Sequence, residues 1–296
     1  MVTPLTSAFA MLRDDSWLWE RLRAALLDRG RADTYIQLMT NYPLPHASTD
    51  LTGRVALVTG ATSGLGWRFS QVLAAAGATV IPTGRREDRL AELEAQIAAD
   101  GGTAYPCRID MTDTDSMMAA VDHAEASAGT VDILINNAGI PDAQRAHKMP
   151  LDLIDRVFDT NLRGPYVLSC EVARRLIAAE MPGRMVNISS IGAFRYEGQG
   201  AALYSITKAG IARMSEVLAV EWARYNINVN AIAPGAFSSE MMDGMLERMG
   251  DITQRMPRKR LGDPAQLDST LLYLCGPASD AVTGTVIKVD DGQSSR

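Results

Sequence analysis

From residue 50 onward the apolar positions fall into two rhythms that alternate along the chain. Short runs rich in Val, Ile, Leu and Ala occupy 54–59, 78–83, 131–136, 184–189, 228–232 and 285–289, with a weaker one at 103–109. Runs of that length, apolar on successive positions, predict strands of a sheet covered on both faces. Between them, apolar residues recur every three or four positions, as Leu90, Leu93 and Ile97 do within 86–100. That spacing paints one stripe along a helix. Helices are predicted over 64–76, 86–100, 114–127, 151–180, 202–224 and 264–274. Strands alternating with helices of this length make βαβ units, so the fold class is α/β, a doubly wound parallel sheet of the Rossmann type.

The first 49 residues do not share this rhythm. Leu18, Leu22, Ala25 and Leu26 form one helical stripe beside Trp17 and Trp19, with Ser16 placed to cap its start and Gly30 to end it. A second short helix is predicted over 33–40. We therefore divide the chain into a helical extension, 1–49, and a catalytic domain, 50–296. The extension is too apolar for a free tail and too short to fold alone. It is expected to dock on its own domain or on a neighbouring subunit.

Composition narrows the function. The chain has 296 residues, 47% hydrophobic and 22% charged, which is a globular balance. Its net charge of −6 argues against a nucleic-acid binder. No apolar run reaches the length of a membrane span. The N-terminal segment carries Asp14 and Asp15 after a short apolar stretch, unlike a secretion signal, so a cytoplasmic location is expected. The three cysteines, Cys107, Cys170 and Cys275, form no CxxC and are expected to be buried apolar residues. His46, His123 and His147 show no ligand spacing, and no metal site is predicted.

Two features carry chemistry. Thr59-Gly60-Ala61-Thr62-Ser63-Gly64-Leu65-Gly66 lies between a strand and a helix. Glycines there permit a tight turn and let the backbone approach a pyrophosphate at the helix N-terminus. Far downstream, Tyr204 and Lys208 are four residues apart, on one face of a helix. An ammonium beside a phenol is expected to lower the phenol's pKa from about 10, towards a value useful for proton exchange. Together they predict hydride transfer coupled to proton transfer. The end of the second strand reads Pro82-Thr83-Gly84-Arg85-Arg86. An NAD site would want an acid where Gly84 stands, whereas Arg85 and Arg86 suit a 2′-phosphate, so NADP is expected, with NAD as the alternative. Ser189 and Ser190 both end a strand and compete as the hydroxyl that would support the reacting oxygen. The methionines at 241, 242, 245, 249 and 256 suit either a bulky apolar substrate or ordinary helix packing.

Residues 50 to 292 resemble the short-chain dehydrogenase/reductase family, in its branch of about 250 residues. The likeness rests on the glycine turn, Asp110, Asn136-Asn137-Ala138-Gly139, Asn161 in Asn-Leu-Arg-Gly, Ser190 in Asn-Ile-Ser-Ser, Tyr204 with Lys208, Pro234-Gly235 and the closing Val289-Asp290-Asp291-Gly292. Asp291 stands where the family usually has glycine. The resemblance implies an oxidoreductase interconverting a ketone and a secondary alcohol. Tyr204 would be the general acid/base. Lys208 would hold the cofactor ribose, Ser190 the substrate oxygen, and Asn161 a relay water. Gly60, Thr62, Ser63, Gly64, Leu65 and Gly66 would cradle the cofactor phosphates, with Arg85, Arg86, Asp110 and Met111 around the adenosine. Asn137, Ala138 and Gly139 would line the cofactor, with Tyr204 and Lys208 also touching it. Pro234, Gly235, Phe237 and Ser239 would flank the nicotinamide. Relatives commonly assemble through the helices at 151–180 and 203–225, which implies a homotetramer or dimer. A silent dinucleotide sensor on the same fold is disfavoured, since all four of these positions are filled.

Overall fold

A computed structural model describes residues 46–196, 198 and 200–294. The helices expected over 16–30 and 33–40 lie outside the described residues.

The expected α/β sheet is present. β1 (Val55–Thr59) is followed by α1 (Gly64–Ala75), β2 (Thr79–Gly84), α2 (Glu87–Ala99), β3 (Thr103–Ala104) and β4 (Cys107–Arg108). Next come α3 (Thr114–Ala128), β5 (Ile133–Asn136), α4 (Leu151–Phe158), α5 (Gly164–Ala178), β6 (Gly183–Ile188), α6 (Ala202–Trp222) and β7 (Ile227–Pro234). The described chain ends with α7 (Glu240–Met249), α8 (Asp268–Cys275) and β8 (Val286–Val289). The strand order is β3-β2-β1-β5-β6-β7-β8, with β4 beside β2, and all the pairings are parallel.

Side chains alternate across the sheet and feed two cores. Ala56 and Val58 point to the face covered by α1, α2 and α8, where Phe69, Leu73, Leu93 and Leu271 are fully buried. Val55 and Leu57 point to the face covered by α3, α5 and α6, with Met117, Leu168, Leu176 and Ile211. Both faces need apolar residues, so the strands read as continuous apolar runs. The chain leaves β1 towards β2 and β3, then returns to lay β5 along the other edge of β1. At that switch point the connections diverge and leave a crevice at the carboxyl ends of the strands.

Three elements differ from expectation. The strand at 103–109 is split into β3 and β4 around Pro106, which has no N–H for the ladder. The path continues, because Tyr105 N donates to Val80 O and Ile109 N to Gly84 O. The helix at 151–180 is interrupted by a π turn, Asp159–Arg163. Pro165 lacks the N–H that an α-helix would offer to the Asn161 carbonyl, so the turn widens there. The helix at 264–274 begins as a 3-10 turn, Pro264–Leu267, before α8. α7 adds a helix where the methionines of 241–256 leave helix packing and a substrate wall both open.

Cys275 is buried, and burial pushes its thiol up to about 12. Cys107 and Cys170 are only half-buried, against the expectation that all three would be core residues. No helix among the described residues is long and apolar enough to cross a membrane. No group of three His, Cys, Asp or Glu among them is placed to hold a metal.

Candidate active site

A cavity of about 1560 Å³ opens at the switch point and runs past the carboxyl ends of the central strands. That is more than a drug-sized ligand needs, and leaves room for a dinucleotide and a second molecule.

The glycine turn forms one end. Gly60 has φ of +67° and Gly64 of +55°, a region glycine enters at little cost. A Cβ on Gly66 would lie 2.3 Å from Gly60 O and 2.4 Å from the Asn137 side-chain nitrogen. Asn137 pins the turn from β5. Its side chain donates to Thr59 O at 2.9 Å and Gly60 O at 3.2 Å, and Thr59 Oγ1 accepts from the backbone of Asn137 and Ala138. Ser63 precedes α1 but its side chain does not cap the helix. The leading amides of α1 are thereby left to an anion, and Thr62, Ser63, Gly64 and Leu65 line the cavity. The residues present fit a pyrophosphate.

Beside the turn, Gly84 ends β2. A Cβ there would meet Thr62 Cγ2 at 2.5 Å, so no acidic side chain fits without displacing the turn. Arg86 donates to Thr62 Oγ1 and O and pairs with Glu240 at 3.1 Å. Arg85 also lines the cavity. Asp110 accepts from Thr112 N at 3.0 Å and Thr112 Oγ1 at 2.8 Å. The Thr112 backbone bond is the main reason its carboxyl sits below the usual range. Met111 is buried, with its carbonyl crowding Gly164.

The titratable cluster lies between the two ends. Tyr204 and Ser190 line the cavity together. Ser190 Oγ also accepts from Gly192 N. Ser189 is buried and donates to Lys208 O at 2.8 Å, so it is occupied with holding α6. Ser190 is the serine that faces the cavity. Lys208 Nζ stands 5.6 Å from the Tyr204 ring centroid and donates to Ile188 O at 2.7 Å. Burial pushes its pKa down to about 8. Asn161, inside the π turn, exchanges two hydrogen bonds with the Ile140 backbone, at 2.8 and 2.9 Å.

The expected depression of the Tyr204 pKa is not found. Burial raises it, the Ser190 hydrogen bond opposes that rise, and the Asp142 charge adds to it. Burial dominates, and the Lys208 ammonium, which would oppose it, is aimed at the Ile188 carbonyl.

Pro234, Gly235, Phe237 and Ser239 all line the cavity. Phe237 is nevertheless a packed residue. It is buried, and a Cβ on Gly262 would come within 2.6 Å of its ring. Ser239 Oγ accepts from Met242 N and caps α7.

Residues 54–249 match the family model for short chain dehydrogenase. That match and the one arrangement of turn, serine, tyrosine and lysine decide the family. The chain belongs to the short-chain dehydrogenases. It is therefore an oxidoreductase that acts on CH–OH groups. A 2-dehydro-3-deoxy-D-gluconate 5-dehydrogenase of Formosa agariphila is 34% identical over 252 residues, covering 82% of this chain and 93% of that protein. A 3-oxoacyl-[acyl-carrier-protein] reductase of Aquifex aeolicus is 34% identical over 244 residues, covering 82% and 98%. Among solved structures, a gluconate 5-dehydrogenase from Burkholderia cenocepacia, in complex with NADP and tartrate, superposes with a TM-score of 0.77 at 31% identity, covering 83% of this chain and 96% of that one.

Three features of this short-chain dehydrogenase escaped the sequence reading. Asp142 is buried and accepts from the amides of Ala143 at 2.8 Å, Leu203 at 2.9 Å and Tyr204 at 3.2 Å. It clamps the loop after β5 to the start of α6 and so fixes where Tyr204 begins. A side chain capping a helix that starts 60 residues later leaves no local pattern. The second is α7, which has no buried residue. Its methionines 241, 242, 245 and 249 line the cavity, so they are a wall and not core packing. Flexible lengths of thioether hid the helical period. The third is Asp291, at φ of +51°. Its carboxylate pairs with Arg260 at 2.8 Å and Arg258 at 3.4 Å, tying the segment beyond α7 to the end of β8.

Proposed function

We propose that this short-chain dehydrogenase moves a hydride between NADP(H) and a ketone or secondary alcohol, with Tyr204 exchanging the proton. The observation that carries the reading is the placement of Tyr204, Ser190 and Lys208 on one cavity continuous with the glycine turn, with Lys208 Nζ 5.6 Å from the Tyr204 ring centroid. The hydride comes from the nicotinamide when NADPH is bound. Tyr204 gives its proton to the carbonyl oxygen, and Ser190 donates a hydrogen bond to the same oxygen as negative charge grows there. Lys208 would hold the ribose hydroxyls. Its pKa of about 8 suits a group that also passes a proton on. Asn161 fixes the Ile140 peptide and would keep the water through which that proton returns to solvent. In the oxidising direction each step reverses, with Tyr204 as base.

NADP is favoured because Gly84 has no room for an acid and Arg85 and Arg86 stand at the strand end. NADP also occupies the Burkholderia cenocepacia structure. One observation supports NAD instead: Arg86 is already paired with Glu240. We take the protein as a cytoplasmic homo-oligomer, a tetramer or dimer. Leu151, Tyr166, Ile206, Val217 and Val220 leave apolar surface on α4, α5 and α6 for a second copy. Light scattering that gave a 32.0 kDa particle would reject the assembly.

Tyr204→Phe keeps the ring and removes the proton. Over a ketone panel followed by NADPH absorbance, its turnover should fall by at least about 10²-fold. NADPH binding, read by fluorescence, should stay within about threefold, since Tyr204→Phe removes one hydroxyl from a site with many contacts. Turnover near wild type would remove Tyr204 from the chemistry.

A further inference from the structure

The cavity's two ends differ in charge. At the dinucleotide end positive and negative groups are mixed: Arg86 pairs with Glu240, and Asp110 is held by Thr112. Past Tyr204 the lining is of one sign. Arg145 comes from the loop after β5, Arg248 from α7, and Arg255 from the segment that follows. None of the three guanidinium groups has a hydrogen-bond or ion-pair partner among the described residues. The neighbouring Arg258 and Arg260, by contrast, are neutralised by Asp291. Among the described residues the one carboxylate lining this end is Asp142, and its oxygens are taken by three backbone amides. An acidic chain of net charge −6 has therefore gathered unpaired cations at the mouth of its cavity. A cleft lined by one sign of charge concentrates ligands of the other.

The same cavity has an apolar wall. Met242, Met245 and Met249 are spaced three and four apart, on one face of α7, and Ile252 and Met256 extend that face. Thioethers adapt to the shape of whatever carbon chain they meet. A ligand matching both surfaces has a carbonyl at Tyr204, an apolar stretch against the methionines and an anionic group at the arginines.

We propose that the substrate is an amphipathic ketone or alcohol whose far end carries a carboxylate or phosphate held by Arg145, Arg248 and Arg255. This rests on the hydride-transfer reading of the same cavity, and the test keeps the two apart. NADPH binding is measured first, by fluorescence, and failure there counts against the cofactor reading alone. Octanoate, octyl phosphate and octan-1-ol are then titrated by calorimetry into the NADP-saturated protein. The anions should bind at least about tenfold more tightly than the alcohol at low salt, with the ratio shrinking as salt is raised. The triple variant Arg145→Gln, Arg248→Gln, Arg255→Gln should weaken the anions about tenfold more than the alcohol. All three are exposed, so the fold should tolerate the change. Met245→Asn should weaken anion and alcohol alike. The better of octanoate and octyl phosphate identifies the anionic group. Equal binding of anions and alcohol, or a ratio indifferent to the triple variant, overturns the proposal.

Discussion

Two helices open on the same cavity, and they are built in opposite ways. α1 buries six residues, Gly66, Phe69, Ser70, Val72, Leu73 and Ala74, while α7 buries none. Each follows a serine. Ser239 caps α7 by accepting from Met242 N, whereas Ser63 leaves the first amides of α1 free of side-chain caps. The helix proposed to face phosphate is thus fixed in the core and offers its backbone. The helix proposed to face substrate closes its own end and offers side chains. An invariant ligand part can be met by rigid backbone, and a variable one is better met by adaptable thioethers.

The largest effect should come from breaking α1. Gly66→Ala drives a Cβ into Gly60 O and the Asn137 side chain, neither of which can move without opening the turn. A cost of about 3 kcal/mol is expected from such overpacking. A denaturation midpoint and NADPH affinity equal to wild type would show that the turn is less rigid than described.

Arg86 bridges Thr62, before α1, and Glu240, the first residue of α7. Losing it together with Arg85 should weaken NADPH by about 10²-fold, as charge-assisted bonds each contribute roughly 1.5–3 kcal/mol. NADH should move far less. Parallel losses for both cofactors would mean that the arginines hold the turn and not a 2′-phosphate.

Lys208 is buried in α6 and is held down to about 8 from 10.5. Because the folded pKa is the lower one, the unfolded chain binds the extra proton between those values. Stability therefore rises with pH across that window, and the destabilisation is complete below about pH 8. Lys208→Met removes the charge at a cost of about 1 kcal/mol for the lost bond to Ile188 O. At about 1.4 kcal/mol per pKa unit the net gain at pH 7 should be about 2 kcal/mol. That gain should shrink near pH 10, while activity is lost. Urea melts at both pH values test this, and a less stable variant at pH 7 would contradict it.

The smallest effect belongs to α7. Ser239→Ala removes a cap worth about 1 kcal/mol. With no buried residue in α7, the loss should appear as faster amide exchange within Glu240–Met249 and leave the global melt almost unchanged. A matching fall in the global melting temperature would place α7 in the core's cooperative unit.

The same contrast governs what could be read in the sequence. Residues dictated by sterics were visible. The glycines at 60, 64 and 66 and the buried strands leave short, fixed patterns, and so does the four-residue step from Tyr204 to Lys208. What depends on distant partners was not. Pro106 and Pro165 change the ladder and the helix only through neighbours they cannot bond. Asp142 acts on backbone amides some 60 positions away. The Tyr204 pKa was misjudged because sequence gives the spacing of the ammonium but not its aim.

Asp291 carries a consequence of its own. Its backbone is turned into the left-handed region, where glycine would rest more easily, and its carboxyl is held low chiefly by the Arg260 hydrogen bond. From that single side chain hang Arg258 and Arg260, directly beyond Met256 on the cavity wall. One side chain at the tip of the last strand thus anchors the segment that follows Met256, without itself lining the cavity. Exchanging Asp291 for glycine would ease the backbone and release both arginines at once, leaving every residue placed at the chemistry untouched.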